Sequence, residues 1–300
     1  MTILIGMPFK NGIVMACDSQ GSAGNVKHLD RRKMRAVSIR FPTGFGHIVL
    51  AGAGGAAYSS KAAEDIQHSC EGKLFRSPRD VADEVEDAVL AVYKRYVLDR
   101  QRKLGFEPSV TDDPPELGIM LAVSLWTGES SENGLYTIFP DGLAQSEDSY
   151  ATMGTGSPYA EYLLQRMWRE DMPFSMALRL AVHAVGEAKE IDPHCGGPTR
   201  MTILTKGVAV TMPVEDLQTV AAELAKREVT IKRMWRLAMA DPEALAEVQA
   251  EMKVNEQIQK EKDLTPSLTV PKLIDEAVKQ EKTAGEGIQP KDNKKDGSPS

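Results

Sequence analysis

Met1-Thr2-Ile3-Leu4-Ile5-Gly6-Met7-Pro8-Phe9-Lys10-Asn11-Gly12-Ile13-Val14-Met15-Ala16-Cys17-Asp18 is the stretch on which the fold turns. Two apolar runs, Ile3–Phe9 and Gly12–Cys17, flank Lys10-Asn11-Gly12. Asn-Gly between apolar runs is a strong tight-turn signal, so an antiparallel hairpin is expected directly after Thr2. No basic segment precedes the first apolar run and no small-residue cleavage site follows it, so these residues are expected to belong to the folded domain rather than to a leader. A small residue after Met1 is the context in which an initiator methionine is removed. Thr2 would then carry a free α-amine beside its own hydroxyl. An alcohol needs an adjacent base to act as a nucleophile. An α-amine, with a pKa of about 7.7–8.0, can supply that base near neutral pH.

Outward from this hairpin, Pro42-Thr43-Gly44 separates Ala36–Phe41 from His47–Ala51 and predicts a second one. Ala56–Cys70 and Pro78–Arg100 read as helices, and Val81, Val85, Ala88, Val89 and Val92 recur at helical spacing in the second. Gln101–Glu116, with Pro108, Pro114 and Pro115, reads as an exposed polar insertion. Leu117–Leu125 and Gly134–Phe139 read as strands, followed by a turn at Pro140-Asp141-Gly142. Pro158–Trp168 and Ser175–Glu190 read as helices, the latter with Leu178, Ala181, Val182, Val185 and Ala188 on one stripe. Met201–Thr205 and Val208–Thr211 predict a closing hairpin. Hairpins need no crossover helix, so a doubly wound parallel sheet is disfavoured. Two packed sheets with helices outside fit the order of elements.

The 300 residues (32.8 kDa, 42% hydrophobic, 26% charged) suffice for a large core and exclude wholesale disorder. A net charge of −7 argues against nucleic-acid binding. The expectation is also of no membrane span, since no segment approaches the roughly 20 apolar residues that a bilayer requires. Cys17, Cys70 and Cys195 are widely spaced and form no disulfide framework, which suits a reducing cytoplasm. Composition shifts along the chain, with the last aromatic residue at Trp235. Residues 1–212 are read as the globular domain, 213–262 as a helical extension and 263–300 as a polar, disordered tail. Within the tail, Val270-Pro271-Lys272-Leu273-Ile274 with Ala277-Val278 has the pattern of a short docking helix, and a weakly helical solvated segment is the more ordinary reading of it.

The chain lacks GxSxG, HExxH and P-loop patterns. Its histidines, at positions 28, 47, 68, 183 and 194, show no ligand spacing, so no metal and no cofactor are expected. A different series stands out. Gly12 to Gly24 completes the first hairpin, and Arg31-Arg32-Lys33 follows. Ala53-Gly54-Gly55-Ala56-Ala57 leads into one helix and Gly154-Thr155-Gly156-Ser157-Pro158-Tyr159-Ala160 into another. Asp192-Pro193-His194-Cys195-Gly196-Gly197 ends the series. In this order and spacing the set resembles the catalytic β-subunits of the 20S proteasome and the peptidase of the bacterial HslUV system. These are N-terminal-nucleophile threonine hydrolases. The resemblance covers about residues 2–212 and has no counterpart for the rest.

The resemblance implies an α+β fold, a four-layer α-β-β-α sandwich with a C-terminal helical or disordered extension. It matches Thr2 to the nucleophile, Asp18 to an invariant aspartate and Lys33 to the catalytic lysine. Placing Lys33 there requires a loop after Gly24 one residue shorter than the family's. A gapless count points to Met34, but Met34-Arg35-Ala36-Val37 matches the strand that follows the lysine. Gly54 matches the oxyanion-hole glycine, whose N–H would be worth roughly 3–4 kcal/mol to a tetrahedral intermediate. Thr155, Asp192 and Cys195 match a Ser-Asp-Ser set near the α-amine, with Thr155 a mild departure and Cys195 a weaker donor. Gln20 stands where proteasome subunits commonly carry arginine. Gly21, Ser22, Arg31, Arg35, Gly52 and Ala56 match the substrate pocket, and its two arginines imply tolerance of acidic side chains. A charged Lys33 near the Thr2 hydroxyl would lower the cost of an alkoxide and depress the α-amine's pKa, with Asp18 holding the lysine charged.

The family reading implies a peptide or unfolded-protein substrate and a homo-oligomeric ring or stacked assembly. Any ATP-dependent unfoldase would be a separate protein, since this chain has no P-loop. Two other readings stay open at this point: a non-catalytic ring subunit of the same fold, and a small-molecule amidase of the N-terminal-nucleophile group.

Overall fold

The computed structural model describes residues 2–23, 26–29, 33–42, 44–103, 105, 117–139 and 143–240. Arg31, the turn at Pro140-Asp141-Gly142, most of the polar insertion and the whole of 263–300, with its Val270–Val278 segment, lie outside these residues.

The chain begins with β1 (Leu4–Phe9) and β2 (Gly12–Cys17), followed by a small ribbon of β3 (Gln20–Ala23) and β4 (Val26–Leu29). β5 (Met34–Phe41) and β6 (Gly44–Gly54) form the next hairpin, and α1 (Ala56–Cys70) and α2 (Pro78–Tyr93) follow. A π-helical turn at Lys94–Leu98 joins α2 to α3 (Asp99–Lys103). Next come β7 (Leu117–Trp126), β8 (Ser131–Ile138), β9 (Gln145–Ser146) and β10 (Ala151–Met153). The series ends with α4 (Ser157–Met167), α5 (Phe174–Ile191), β11 (Arg200–Thr205), β12 (Val208–Thr211) and α6 (Val214–Ala240).

Two five-stranded sheets result, in the orders β10-β1-β2-β11-β12 and β5-β6-β7-β8-β9, with every neighbouring pair of strands antiparallel. Side-chain alternation divides the interior into three cores. From β1 and β2, Ile5, Met7, Val14 and Ala16 pack against Leu178, Ala181 and Val185 of α5. From β6 and β7, Ile48, Leu50, Ile119 and Leu121 pack against Ile66 of α1 and Val81, Val85 and Val89 of α2. The intervening residues Leu4, Ile13, Met15, Val49, Ala51, Met120 and Ala122 meet between the sheets. The architecture is a four-layer α-β-β-α sandwich. Because β2 and β7 are covered on both faces, they read as continuous apolar runs rather than as alternating patterns.

Several expectations change in detail. The first turn exists, but Phe9 pairs with Gly12, so Lys10 and Asn11 are its central residues. Neither has positive φ, so this is not the primed turn that Asn-Gly suggests. Gly12 is glycine because a Cβ there would run into the Leu204 carbonyl oxygen on β11. The closing hairpin has the primed turn instead, with Lys206 at φ 49 and Gly207 at φ 71. The helical stretch after Pro78 does not stop at Arg100. It shifts through the π turn and continues to Lys103, so the polar insertion begins later than Gln101. β3, β4, β9 and β10 add strands that the apolar pattern does not announce. α6 buries Leu217 and Val220 beside α5, whereas Val229 is 67% exposed; the extension is helical to Ala240.

Candidate active site

The β1–β2 register sets the site. Leu4 pairs with Cys17, so Thr2 and Asp18 meet just beyond the last rung, where Asp18 N–H donates to the Ile3 carbonyl at 3.3 Å. Asp18 is fully buried and its Oδ1 accepts from Thr2 Oγ1 at 2.6 Å, from Ile3 N–H at 3.1 Å and from Lys33 Nζ at 2.7 Å. Its Oδ2 accepts from Gln20 N–H at 3.2 Å and Gly196 N–H at 3.0 Å. Five donors thus converge on one buried carboxylate.

Lys33 arrives from the other sheet. It directly precedes β5, and its carbonyl accepts from Gly52 N–H of β6 at 3.2 Å. Its ammonium lies 2.7 Å from both Thr2 Oγ1 and Asp18 Oδ1. Thr2 is 2% and Lys33 9% exposed in the chain that still carries Met1. The ion pair is therefore shielded from water, where an electrostatic contact is strongest and an unpaired charge most costly.

A second polar group centres on Asp192. Asp192 caps the C-terminal end of α5 and accepts from His194 N–H at 2.8 Å and from the Cys195 thiol at 3.4 Å. The Thr155 hydroxyl also bonds to it. Burial pushes the Asp192 carboxyl upward, but the bonds from Thr155, His194 and Cys195 outweigh it, and the net shift is below the ordinary range. Burial, joined by the fields of Asp18 and Asp192, pushes the Cys195 thiol up to about 12, so it stays protonated and can donate. The group reaches Thr2 through the turn before α4. Gly156 N–H donates to the Thr2 carbonyl at 3.2 Å, and a Cβ on Gly156 would sit 2.8 Å from Cys195 Sγ. Gly154, at φ 98, leaves no room for a side chain because a Cβ would strike the Thr2 carbonyl oxygen.

The remaining candidates are less closely gathered. Gly54 ends β6 at φ 98, opposite Leu117 and next to the N-cap of α1. Gly52 faces Ser59 of α1, and Ala56 is the first residue of that helix. Gly21 and Ser22 lie in β3, opposite His28 and Lys27 of β4. Arg35 on β5 is paired with Glu64 of α1 at 3.8 Å, so its charge is already engaged within the chain. Sequence reasoning missed two contributors. One is Gly196, whose amide reaches Asp18. The other is Lys189 on α5, which bonds to the Gly197 carbonyl at 3.0 Å and to Thr199 Oγ1 at 2.6 Å. A lysine three residues before Asp192 is the only cue the sequence holds for the latter.

This arrangement places a hydroxyl in contact with a buried carboxylate and a buried ammonium. Such a site lowers the cost of negative charge on the hydroxyl oxygen. Comparison with known proteins bears on the family and the fold. The family model described as Proteasome subunit matches residues 2–204. Among curated proteins, proteasome subunit beta 1 of Thermococcus kodakarensis is 25% identical over 205 residues, covering 68% of this chain and 89% of that protein. The proteasome subunit beta of Nanoarchaeum equitans is 27% identical over 209 residues, covering 69% of this chain and 95% of its own length. Among solved structures, Anbu (ancestral beta-subunit) from Yersinia bercovieri aligns with a TM-score of 0.59 at 18% identity, over 77% of this chain and 97% of that one. The helical assembly of the Anbu complex from Pseudomonas aeruginosa also aligns at 0.59, with 19% identity over 77% and 96%. These last two speak for the fold alone. With the family model covering two thirds of its length and the same sandwich in solved relatives, the chain belongs to the proteasome subunit family.

Proposed function

We propose that the chain is a threonine-type peptidase hydrolysing peptide bonds inside a proteasome-like assembly of its own copies, with Thr2 as nucleophile once Met1 is removed. One observation carries this reading: Thr2 Oγ1 lies 2.6 Å from Asp18 Oδ1 and 2.7 Å from Lys33 Nζ. While Met1 is attached, the Thr2 nitrogen is a peptide amide and no base. Cleavage of the Met1–Thr2 bond turns it into an α-amine. That amine takes the Oγ1 proton, and Oγ1 attacks the scissile carbonyl carbon. The carbonyl electron pair becomes an oxyanion, for which the Gly54 N–H is the proposed donor. Lys33 stabilises Oγ1 as its proton departs, and Asp18 keeps the lysine oriented. Collapse expels the peptide's amine half, which takes the proton from the Thr2 ammonium, and leaves an ester on Oγ1. Water, deprotonated by the same amine, attacks that ester, and Oγ1 recovers its proton. Thr155, Asp192 and Cys195 are assigned to orienting the amine.

The substrate is an extended peptide or an unfolded protein. Gly21, Ser22, Arg31, Arg35, Gly52 and Ala56 are the proposed pocket residues. With Arg35 held by Glu64, acceptance of acidic side chains rests on Arg31. Assembly of identical copies draws support from the family and from the helical assembly of the Pseudomonas relative. We place the protein in the cytoplasm because Cys17, Cys70 and Cys195 are widely spaced in the sequence and offer no disulfide framework. No helix among the described residues is long and apolar enough to cross a membrane. An unfoldase, where one is used, is a separate protein.

The test compares full-length wild type and Thr2→Ala by intact mass, electron microscopy and hydrolysis of fluorogenic peptides. The wild type should lose Met1, assemble and hydrolyse, and the variant should assemble without hydrolysing. An assembly that retains Met1 and hydrolyses nothing would make the chain a structural ring subunit instead.

A further inference from the structure

We infer that Lys189 is a positioning residue for Asp18, acting through the 192–199 loop, whose Gly196 amide holds the far oxygen of the carboxylate. The inference rests on the peptidase reading above for its catalytic consequence, but its geometry stands alone.

Asp18 sets the requirement. Its Oδ1 is shared by Thr2 Oγ1, Ile3 N–H and Lys33 Nζ, all within 3.1 Å. The rotation of the carboxylate about its Cβ–Cγ bond is then decided at Oδ2. One donor there, Gln20 N–H, is local, two residues along the same chain segment. The other, Gly196 N–H at 3.0 Å, comes from a loop 178 residues away. The loop must therefore be held in place for Asp18 to keep its plane.

Gly196 is bound to the Asp18 segment through both its amide and its carbonyl. Besides the amide's bond to Oδ2, the carbonyl accepts from Ser19 N–H at 3.2 Å and Gln20 N–H at 3.0 Å. The contact is close-packed. A Cβ on Gly197 would sit 2.6 Å from Ser19 Oγ, and one on Gly196 2.5 Å from Gln20 Oε1. What holds the loop from behind is Lys189. Its ammonium donates to the Gly197 carbonyl at 3.0 Å and to Thr199 Oγ1 at 2.6 Å, spanning the residues that follow Gly196. The Asp192–Cys195 contacts hold the loop's other end. A packing role alone would be served by an apolar side chain. Burial instead pushes this ammonium below its ordinary range, against the opposing field of Asp18. Lys189 thus adds a second positive charge in the field of Asp18, besides that of Lys33.

The experiment uses full-length protein carrying Lys189→Met, which removes charge and donors, or Lys189→Arg, which keeps both. Hydrogen exchange followed by mass spectrometry reads the loop directly. Kinetics with a fluorogenic peptidyl-coumarylamide reads its effect on Thr2. K189M should speed exchange over residues 193–199 by about tenfold or more and leave α1 and β7 unchanged. It should lower kcat by about 10–100-fold with KM within about twofold, the signature of a misplaced reacting group. K189R should recover most of both. Wild-type exchange in the K189M loop overturns the inference, and so does normal kcat with a loosened loop. Loosening spread over the whole domain also overturns it, by making Lys189 merely structural. If the wild type hydrolyses nothing, the peptidase reading fails, and the exchange data still decide whether Lys189 anchors the loop.

Discussion

Asp18 and Asp192, the two carboxylates of the candidate site, are held by different chemistry. Asp18 is fully buried, with the Lys33 ammonium 2.7 Å away and the Thr2 hydroxyl 2.6 Å away. Asp192 is 5% exposed, and its close partners are a hydroxyl, a thiol and a backbone amide. The first carboxylate balances a charge held against the Thr2 hydroxyl, the proposed nucleophile. The second fixes directions among neutral donors. On the proposed mechanism, a charge in contact with Thr2 Oγ1 acts on the reacting atom itself, whereas the neutral hydrogen-bonding group around Asp192 sets orientation at one remove.

That contrast is broken most strongly at Lys33. Lys33→Met should leave Asp18 buried without its counter-charge, at a cost of about 3–5 kcal/mol. Calorimetry should show the drop, and peptide hydrolysis should fall by roughly 10³-fold or more because the stabilising cation is lost. Asp192→Asn should cost less, about 1–3 kcal/mol for imperfectly satisfied bonds, with a smaller loss of kcat. Its pH dependence sharpens the comparison. A carboxyl held below its ordinary range stabilises the fold above the unfolded pKa of about 3.9, and that contribution disappears as pH falls through the lower folded value. The Asn variant should therefore lose part of the acid dependence of unfolding between about pH 5 and pH 2. Gly154→Ala should destabilise by about 1–3 kcal/mol, since φ 98 and the Thr2 carbonyl leave no place for the methyl group. The smallest effect belongs to Cys195→Ser, which keeps a donor toward Asp192 and should leave activity within a few-fold. With their thiols raised to about 12 and about 11, native Cys195 and Cys70 should resist iodoacetamide at about pH 8 and react after unfolding.

The first hairpin, the strands β6 and β7 and the helices α1, α2 and α5 were readable because apolar spacing reports burial. β3 and β4, with the sequences Gln20-Gly21-Ser22-Ala23 and Val26-Lys27-His28-Leu29, carry no such pattern and, among the described residues, pair only with each other. β10 has three residues, too short for a period to register, although it pairs with β1 and leads to the turn that holds Thr2. Asn11-Gly12 gave the right hairpin for the wrong reason, because the need for glycine lies across the sheet at Leu204. At the site, Thr2, Asp18 and Lys33 stood out through motif order, and the structure draws them together. Gly196 and Lys189 were hidden, since their partners depend on how the end of α5 meets the segment after β2. Arg35 illustrates the opposite limit: its position matched a pocket motif, but only the fold reveals Glu64 beside it.

On the proposed mechanism Thr2 carries both the nucleophile and the base. Treatment of the purified full-length protein with a peptide α′,β′-epoxyketone tests it most directly, because closing the morpholine ring requires a free α-amine and a hydroxyl on the same residue. One such adduct is expected, mapped by peptide mass spectrometry to an N-terminal fragment that starts at Thr2 and lacks Met1. An active protein whose Thr2 remains unmodified, or an unreactive protein with Met1 still attached, would contradict it.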